Sequence, residues 1–177
     1  MGYDIDEDGL LGPPAKPVVS APTPNSSVPP GPVAVSWNAA ANATSYDVIA
    51  EDAGGATAYR ASGLTGTGAT IPAGALQGWQ DHTIHVVSFN WRGYQRESVP
   101  IFVQGSCDSI DFNQDGVYPD TTDVTDFLFV FGGGSCPSPG CTSTDIDFNN
   151  DEVTPDTCDL FSFLHVFSGG ACERCPL

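Results

Sequence analysis

The sequence predicts a mainly β chain that ends in a small α module: a β-sandwich over residues 15–104, then a duplicated loop–helix domain over 105–177. Three observations carry this. Short apolar runs alternate with turn residues through the middle of the chain. A 27-residue pattern occurs twice after residue 105, at an offset of 36. Charge and cysteine divide the chain at the same place, because all six Cys lie after residue 105.

Val33-Ala34-Val35-Ser36-Trp37 alternates apolar residues with small or polar ones, and Tyr46-Asp47-Val48-Ile49-Ala50 is read the same way. Thr83–Phe89 and Ile101-Phe102-Val103 follow. Turn signals fall between them at Pro29-Pro30-Gly31, Gly54-Gly55, Gly66-Thr67-Gly68 and Arg92-Gly93. A side-chain period of two places one face of each strand in a core, and several short strands so spaced make a sandwich. Twenty Gly and fifteen Pro in 177 residues agree, since both favour turns over long helices.

The stretch PVAVSWNAAANATSYDVIAED, with Trp37 on a second strand and Tyr46 opening a third, resembles a fibronectin type III domain, an immunoglobulin-like sandwich. DHTIHVVSFNWRGYQRESVPIFVQ is similar to that family's last two strands. The likeness covers about ninety residues. The family usually carries a Tyr six residues after a Leu at the sixth strand; here Leu76 is present and His82 stands in the Tyr place. Such domains are mostly spacers or binding modules, so the resemblance implies no specific function.

The formal charge of −17 is concentrated. Residues 105–177 carry thirteen acids against one base, Arg174, whereas 15–104 carry five acids against four bases. Clustered carboxylates repel and oppose compaction, so cations are expected to complete the fold of that segment. With no basic patch, nucleic acid is not an expected partner.

The repeat shows which cation. Ile110–Cys136 and Ile146–Cys172 align without a gap through loop, helix and closing cysteine. Each loop sets oxygen-bearing side chains at every second position: Asp111, Asn113, Asp115, then Asp147, Asn149, Asp151. A curled loop aims three such side chains at one centre, which suits calcium, a hard cation taking six to eight oxygens at flexible geometry. Gly116 stands where an EF-hand loop turns sharply, and Val117 would offer its backbone carbonyl. The EF-hand's twelfth position is Thr122 or Thr157, with Asp123 and Asp159 one step later. A loop one residue longer is therefore expected, with Pro119 or Pro155 at the insertion. The expected ligands are Asp111, Asn113, Asp115, Val117, Asp120 and Asp123 for one ion, and Asp147, Asn149, Asp151, Val153, Asp156 and Asp159 for a second. Glu152 replaces the turning Gly in the second loop, where it is expected to strain the backbone or weaken binding. The competing reading is a pair of acidic Asx turns without metal.

A short amphipathic helix should follow each loop, through Val124, Phe127, Leu128 and Phe131 and then Leu160, Phe163, Leu164 and Phe167. Gly132-Gly133-Gly134 and Gly169-Gly170 end them. The two apolar faces are expected to pack on each other, clamped by calcium and disulfides. Cys107, Cys136, Cys141, Cys158, Cys172 and Cys175 read as disulfides of an oxidising compartment. Zinc is the weaker reading, because the CxxC at Cys172 and Cys175 has no second CxxC or paired His. Repeat symmetry predicts Cys107–Cys136 and Cys141–Cys172, leaving Cys158–Cys175. Each of the first two would close a loop of roughly thirty residues, worth about 3–4 kcal/mol.

This loop-then-helix duplication resembles the dockerin domain, in particular divergent dockerin-like modules at the C-termini of secreted bacterial proteins. Asp111–Gly116 supplies that family's DxNxDG core, and the likeness covers about seventy residues. The resemblance implies paired calcium loops, two helices and a cohesin-like protein partner. The longer loops, the offset of 36 and the six cysteines depart from the family pattern.

Asp4, Asp6, Asp8 and Gly9 form a further calcium-like phrase in residues 1–14, read as an acidic arm or the remnant of a preceding module. Asn25-Ser26-Ser27 and Asn42-Ala43-Thr44 match the N-glycosylation pattern. Among the three histidines, His82 and His85 point to opposite faces of one strand and His165 sits on a helix beside apolar residues. No Ser or Cys shows a partner base along the sequence, so the chain is not read as an enzyme. No stretch is apolar enough to span a membrane, and the first residues lack the form of a signal peptide. The chain is therefore expected to be a mature piece of a longer precursor. The expected role is a secreted, non-catalytic calcium-binding anchoring or adhesion module at the cell surface. The alternative is a self-associating subunit of an extracellular filament or surface layer.

Overall fold

The computed structural model describes residues 12–172, and the chain divides into two compact units between Gln104 and Gly105. The calcium-like phrase at Asp4–Gly9 lies outside the described residues, as does Cys175.

Eight strands build the first unit: β1 (Val18–Ala21), β2 (Ser26–Val28), β3 (Val33–Asn38), β4 (Ser45–Asp52), β5 (Thr57–Leu64), β6 (Gly68–Ile71), β7 (Gln80–Asn90) and β8 (Gly93–Val103). They form one sheet in the order β1-β3-β6 and a second in the order β2-β8-β7-β4-β5. All pairs are antiparallel except β2 beside β8. The alternation seen in the sequence produces the core directly. Val33, Val35 and Trp37 from one sheet meet Val48, Ala50, Ile84, Val86, Val99 and Ile101 from the other, all buried. Trp37 packs on Tyr46 with ring centroids 5.4 Å apart, and the Tyr46 hydroxyl accepts the Ala40 amide at 2.8 Å.

His82 points into this core, and its Nε2–H donates to the Gln77 carbonyl at 3.0 Å. In immunoglobulin-like sandwiches a corner Tyr makes such a bond to backbone a few residues upstream. Here an imidazole makes it.

The second unit holds α1 (Thr121–Phe131) and α2 (Thr157–Phe167). Each starts at an Asp N-cap, Asp120 or Asp156, and carries a capping box completed by Asp123 or Asp159. The core is a pseudo-symmetric set of four buried phenylalanines. Phe127 and Phe163, equivalent in the repeat, stack at 4.0 Å. Phe112–Phe127 and Phe148–Phe163 make matching edge contacts at 5.3 and 5.2 Å. The helices do pack on each other, but Leu128 and Leu164 do not join them: they are 44% and 43% exposed. Residues on a helix are separated by about 100°. The buried face centres on Phe127 and Asp123, so Leu128 is carried about 100° to one side. Bringing the carboxylate inward turns the leucine out.

The disulfides also differ from the symmetric expectation. Cys107 joins Cys172, and Cys136 joins Cys141. Cys158 is disulfide-bonded. The predicted Cys107–Cys136 and Cys141–Cys172 bonds fail because each lead-in segment lies against the other repeat. The Asp108 amide donates to the Phe148 carbonyl at 2.8 Å, which carries Cys107 to the end of the second repeat. The first bond links residues 65 apart and the second residues five apart, worth about 4 and about 2 kcal/mol.

Candidate metal centre

Each loop is organised by its own carboxylates. Asp111 accepts the amides of Asp115 and Gly116 at 3.1 and 3.0 Å, and Asp147 accepts those of Asp151 and Glu152 at 3.1 Å each. The side-chain oxygens of Asn113 and Asn149 accept the amides of Asp115 and Asp151 at 3.0 and 3.1 Å. Asp115 takes the Val117 amide at 2.8 Å and Asp151 the Val153 amide at 3.0 Å. The Val117 and Val153 side chains are exposed, so these residues face the loop with their backbones alone. Gly116 has φ +81°, the left-handed conformation that glycine adopts without strain. Glu152 holds φ +68° at the equivalent place.

Asp123 and Asp159 close the loops from the first turn of each helix. Both are wholly buried. Asp123 accepts from the Asn113 amide at 3.4 Å and the Asp120 amide at 3.2 Å. Asp159 Oδ2 accepts from the Asp156 amide at 2.9 Å, whereas its Oδ1 is buried without a well-formed hydrogen bond, the Asn149 amide acting on the carboxyl only weakly. Burial pushes the Asp159 carboxyl up to about 6; the amides of Asp156 and Asn149 moderate this, while the charges of Asp147 and Asp156 add to it. Asp108 is raised too, by burial and by the nearby charges of Asp145 and Asp147, against its hydrogen bond from Asn150. Residues 105–172 contain no Lys or Arg to balance any of them. Asp120 and Asp156, expected as ligands, each turn Oδ1 onto two helix amides.

The donor set fits calcium in kind: six oxygens per loop, all hard, four of them from carboxylates. A carboxylate has about four lone-pair sites, so an amide or two orients it without exhausting it. As they stand, no three His, Cys, Asp or Glu side chains among the described residues form a group that could hold a metal. Binding would draw loop carboxylates together from their present places on the amides.

Two arrangements escaped the sequence. Asp126 and its repeat equivalent Ser162 are both buried, with Asp126 Oδ2 and Ser162 Oγ unpartnered. Helical spacing from Asp123, three residues away on the same face, was the available signal. The second joins three strands of the sandwich. His85 Nδ1 lies 2.9 Å from Ser98 Oγ and its Nε2 lies 3.1 Å from Glu51. Sequence reading found no base beside any serine because register pairs His85 with Ser98 across 13 residues. The row lies on an open sheet face with Ser98 exposed, and it ties β4, β7 and β8 together. The two glycosylation patterns differ as well: Asn25 is exposed at a turn, whereas Asn42 Oδ1 is buried.

No protein-family model and no curated protein matches the chain. Solved structures do. A fibronectin type III domain of human collagen alpha-1(XX) shares 20% identity over 57% of this chain and 92% of that one, with a TM-score of 0.40. The FN5 domain of Drosophila Lar shares 19% over 52% of this chain and 99% of its own, at 0.41. Fibronectin(III)-like modules of Clostridium thermocellum CbhA share 14% over 50% and 94%, at 0.36. Among the described residues no helix is long and apolar enough to cross a membrane.

Proposed function

We propose that residues 105–177 form a dockerin-like module that two calcium ions fold, and that it attaches the preceding sandwich to an extracellular protein partner without catalysis. One observation carries this reading. Asp159 is a wholly buried carboxylate with one oxygen lacking a well-formed hydrogen bond, in a segment whose described residues hold no Lys or Arg. An unpaired buried charge costs several kcal/mol, so a chain that keeps one needs a cation from solution. Calcium would supply two positive charges to each loop, and Asp111, Asn113, Asp115, Asp123 and their equivalents would hold it. The repeat supports two ions, and the disulfides support an oxidising, extracellular location. Exposed Leu128 and Phe129 on α1, and Phe161 and Leu164 on α2, support a protein partner, as does the dockerin resemblance.

Circular dichroism and sedimentation with and without EGTA test the proposal. Chelation should reduce the helical signal and release the protein from its partner, while the sandwich keeps its β signal. An unchanged helical signal would refute folding by calcium. Dissociation of a polymer would instead identify a filament subunit.

A further inference from the structure

We propose that each candidate ion loop is gripped by the lead-in segment of the opposite repeat, and that the Cys136–Cys141 ring is a clamp on the first loop alone. The calcium reading identifies what the loops hold; the contacts themselves stand apart from it.

Gly140, inside the ring, lies directly on the first loop. A Cβ there would collide with the Asn113 carbonyl and come within 3.1 Å of the Gln114 Cβ. Backbone rests on backbone, at a residue expected to bind the ion. A cavity of about 340 Å³ is lined by Asn113, Asp115 and Thr122 together with Ser138, Pro139 and Gly140. Cys141 is buried and Cys136 half-buried, so the ring ties a core residue to an accessible one.

The second loop is gripped differently. Asn150 Nδ2 donates to the Ser106 carbonyl at 3.1 Å and to Asp108 Oδ1 at 3.0 Å. Asn150 is the repeat equivalent of Gln114, and both hold left-handed backbone, φ +53° and +55°. Each loop thus meets the foreign lead-in at the same corner. The first grip depends on a disulfide between residues five apart, the second on a side-chain amide and on Cys107–Cys172.

The consequence is site-selective control. An external dithiol that reduces Cys136–Cys141 delivers two electrons and two protons, leaves two thiols and is itself oxidised to a disulfide. Opening the ring frees the segment that bears on Asn113 and leaves Asn150 with its partners. Gly140 and Asn150 are positioning residues for two different ions.

The test uses the full chain with Cys136→Ser/Cys141→Ser, Gly140→Ala and Asn150→Ala, read by hydrogen exchange both with calcium and in EGTA and by calorimetric calcium titration. The cysteine variant and Gly140→Ala should each speed exchange of amides 113–117 about tenfold, with 149–153 unchanged, and weaken one of two ions about tenfold. Asn150→Ala should do the reverse. Equal loosening of both loops by the cysteine variant, or no loosening by any variant, would overturn the proposal. Absence of calcium uptake by the wild-type chain would refute the calcium reading, while exchange in EGTA would still decide the grip. Gly140→Ala keeps every cysteine, so it separates loss of the clamp from general misfolding.

Discussion

The two units bury a carboxylate in opposite ways. In the sandwich, Asp47 is 6% exposed and fully satisfied: Arg60 donates at 2.8 Å, Ser62 at 2.9 Å and the Gly63 amide at 3.0 Å. Burial alone would raise its pKa, but these partners outweigh it and hold the carboxyl below its usual range. In the second unit Asp159 is more deeply buried, has an oxygen without a well-formed hydrogen bond and sits near 6. The sandwich contains its own counter-ion. The described residues of the acidic module hold no Lys or Arg, and on the proposed calcium reading one unit is independent of solution cations while the other depends on them.

The largest expected effect comes from removing the closing carboxylates. Asp123→Asn with Asp159→Asn should weaken calcium binding at least about a hundredfold, about 3 kcal/mol, and loosen 105–172 without changing the melting of the sandwich. Calorimetry and hydrogen exchange on one preparation check both halves of that statement. Conversely, Asp47→Ala should cost the sandwich about 1–3 kcal/mol, because it strands the donors that now meet it. Denaturant unfolding should show that loss, and calcium affinity should not change.

Acid titration should separate the units by sign. The Asp159 pKa is raised above its unfolded value near 3.8, so the metal-free module is favoured below that pH and loses stability as pH rises through about 6. The Asp47 pKa is lowered, so its contribution is present above that same value and disappears as pH falls through its folded pKa. Melting each unit in EGTA between pH 4 and pH 7 should give a module that weakens as pH rises and a sandwich that does not. Calcium should abolish the slope of the module.

The smallest effect concerns the second loop's corner. Glu152→Gly should relieve the left-handed strain and stabilise the module by about 0.5–1 kcal/mol. It should also tighten one ion relative to the other, read as a change in the second step of a calcium titration. A destabilised variant would mean that contacts of Glu152 outweigh its backbone strain.

Legibility in the sequence followed local periodicity. The runs Val33–Trp37, Thr83–Phe89 and Ile101–Val103 announced β3, β7 and β8 because each alternates toward one core. β5 was missed: it is an edge strand whose residues are exposed or half-buried, so no apolar period marks it. β6 was missed because it opens at Gly68, which reads as a turn residue. In the second unit the repeat revealed both loops and both helices, yet symmetry misled the disulfide pairing. A repeat shows which segments are equivalent and not which segments touch, and here the lead-ins are exchanged. The His85–Ser98–Glu51 row depends on strand register, which no single segment encodes.

The central claim is that the module's buried charge is balanced by calcium. Its most direct test is calorimetric titration of calcium into the metal-free wild-type chain at pH 7, with hydrogen exchange followed in parallel. Two ions per chain should bind, and protection should rise across 105–172 while 12–104 stays unchanged. No heat of binding, with 105–172 already fully protected in EGTA, would show that the loops are self-satisfied acidic turns and would contradict the account.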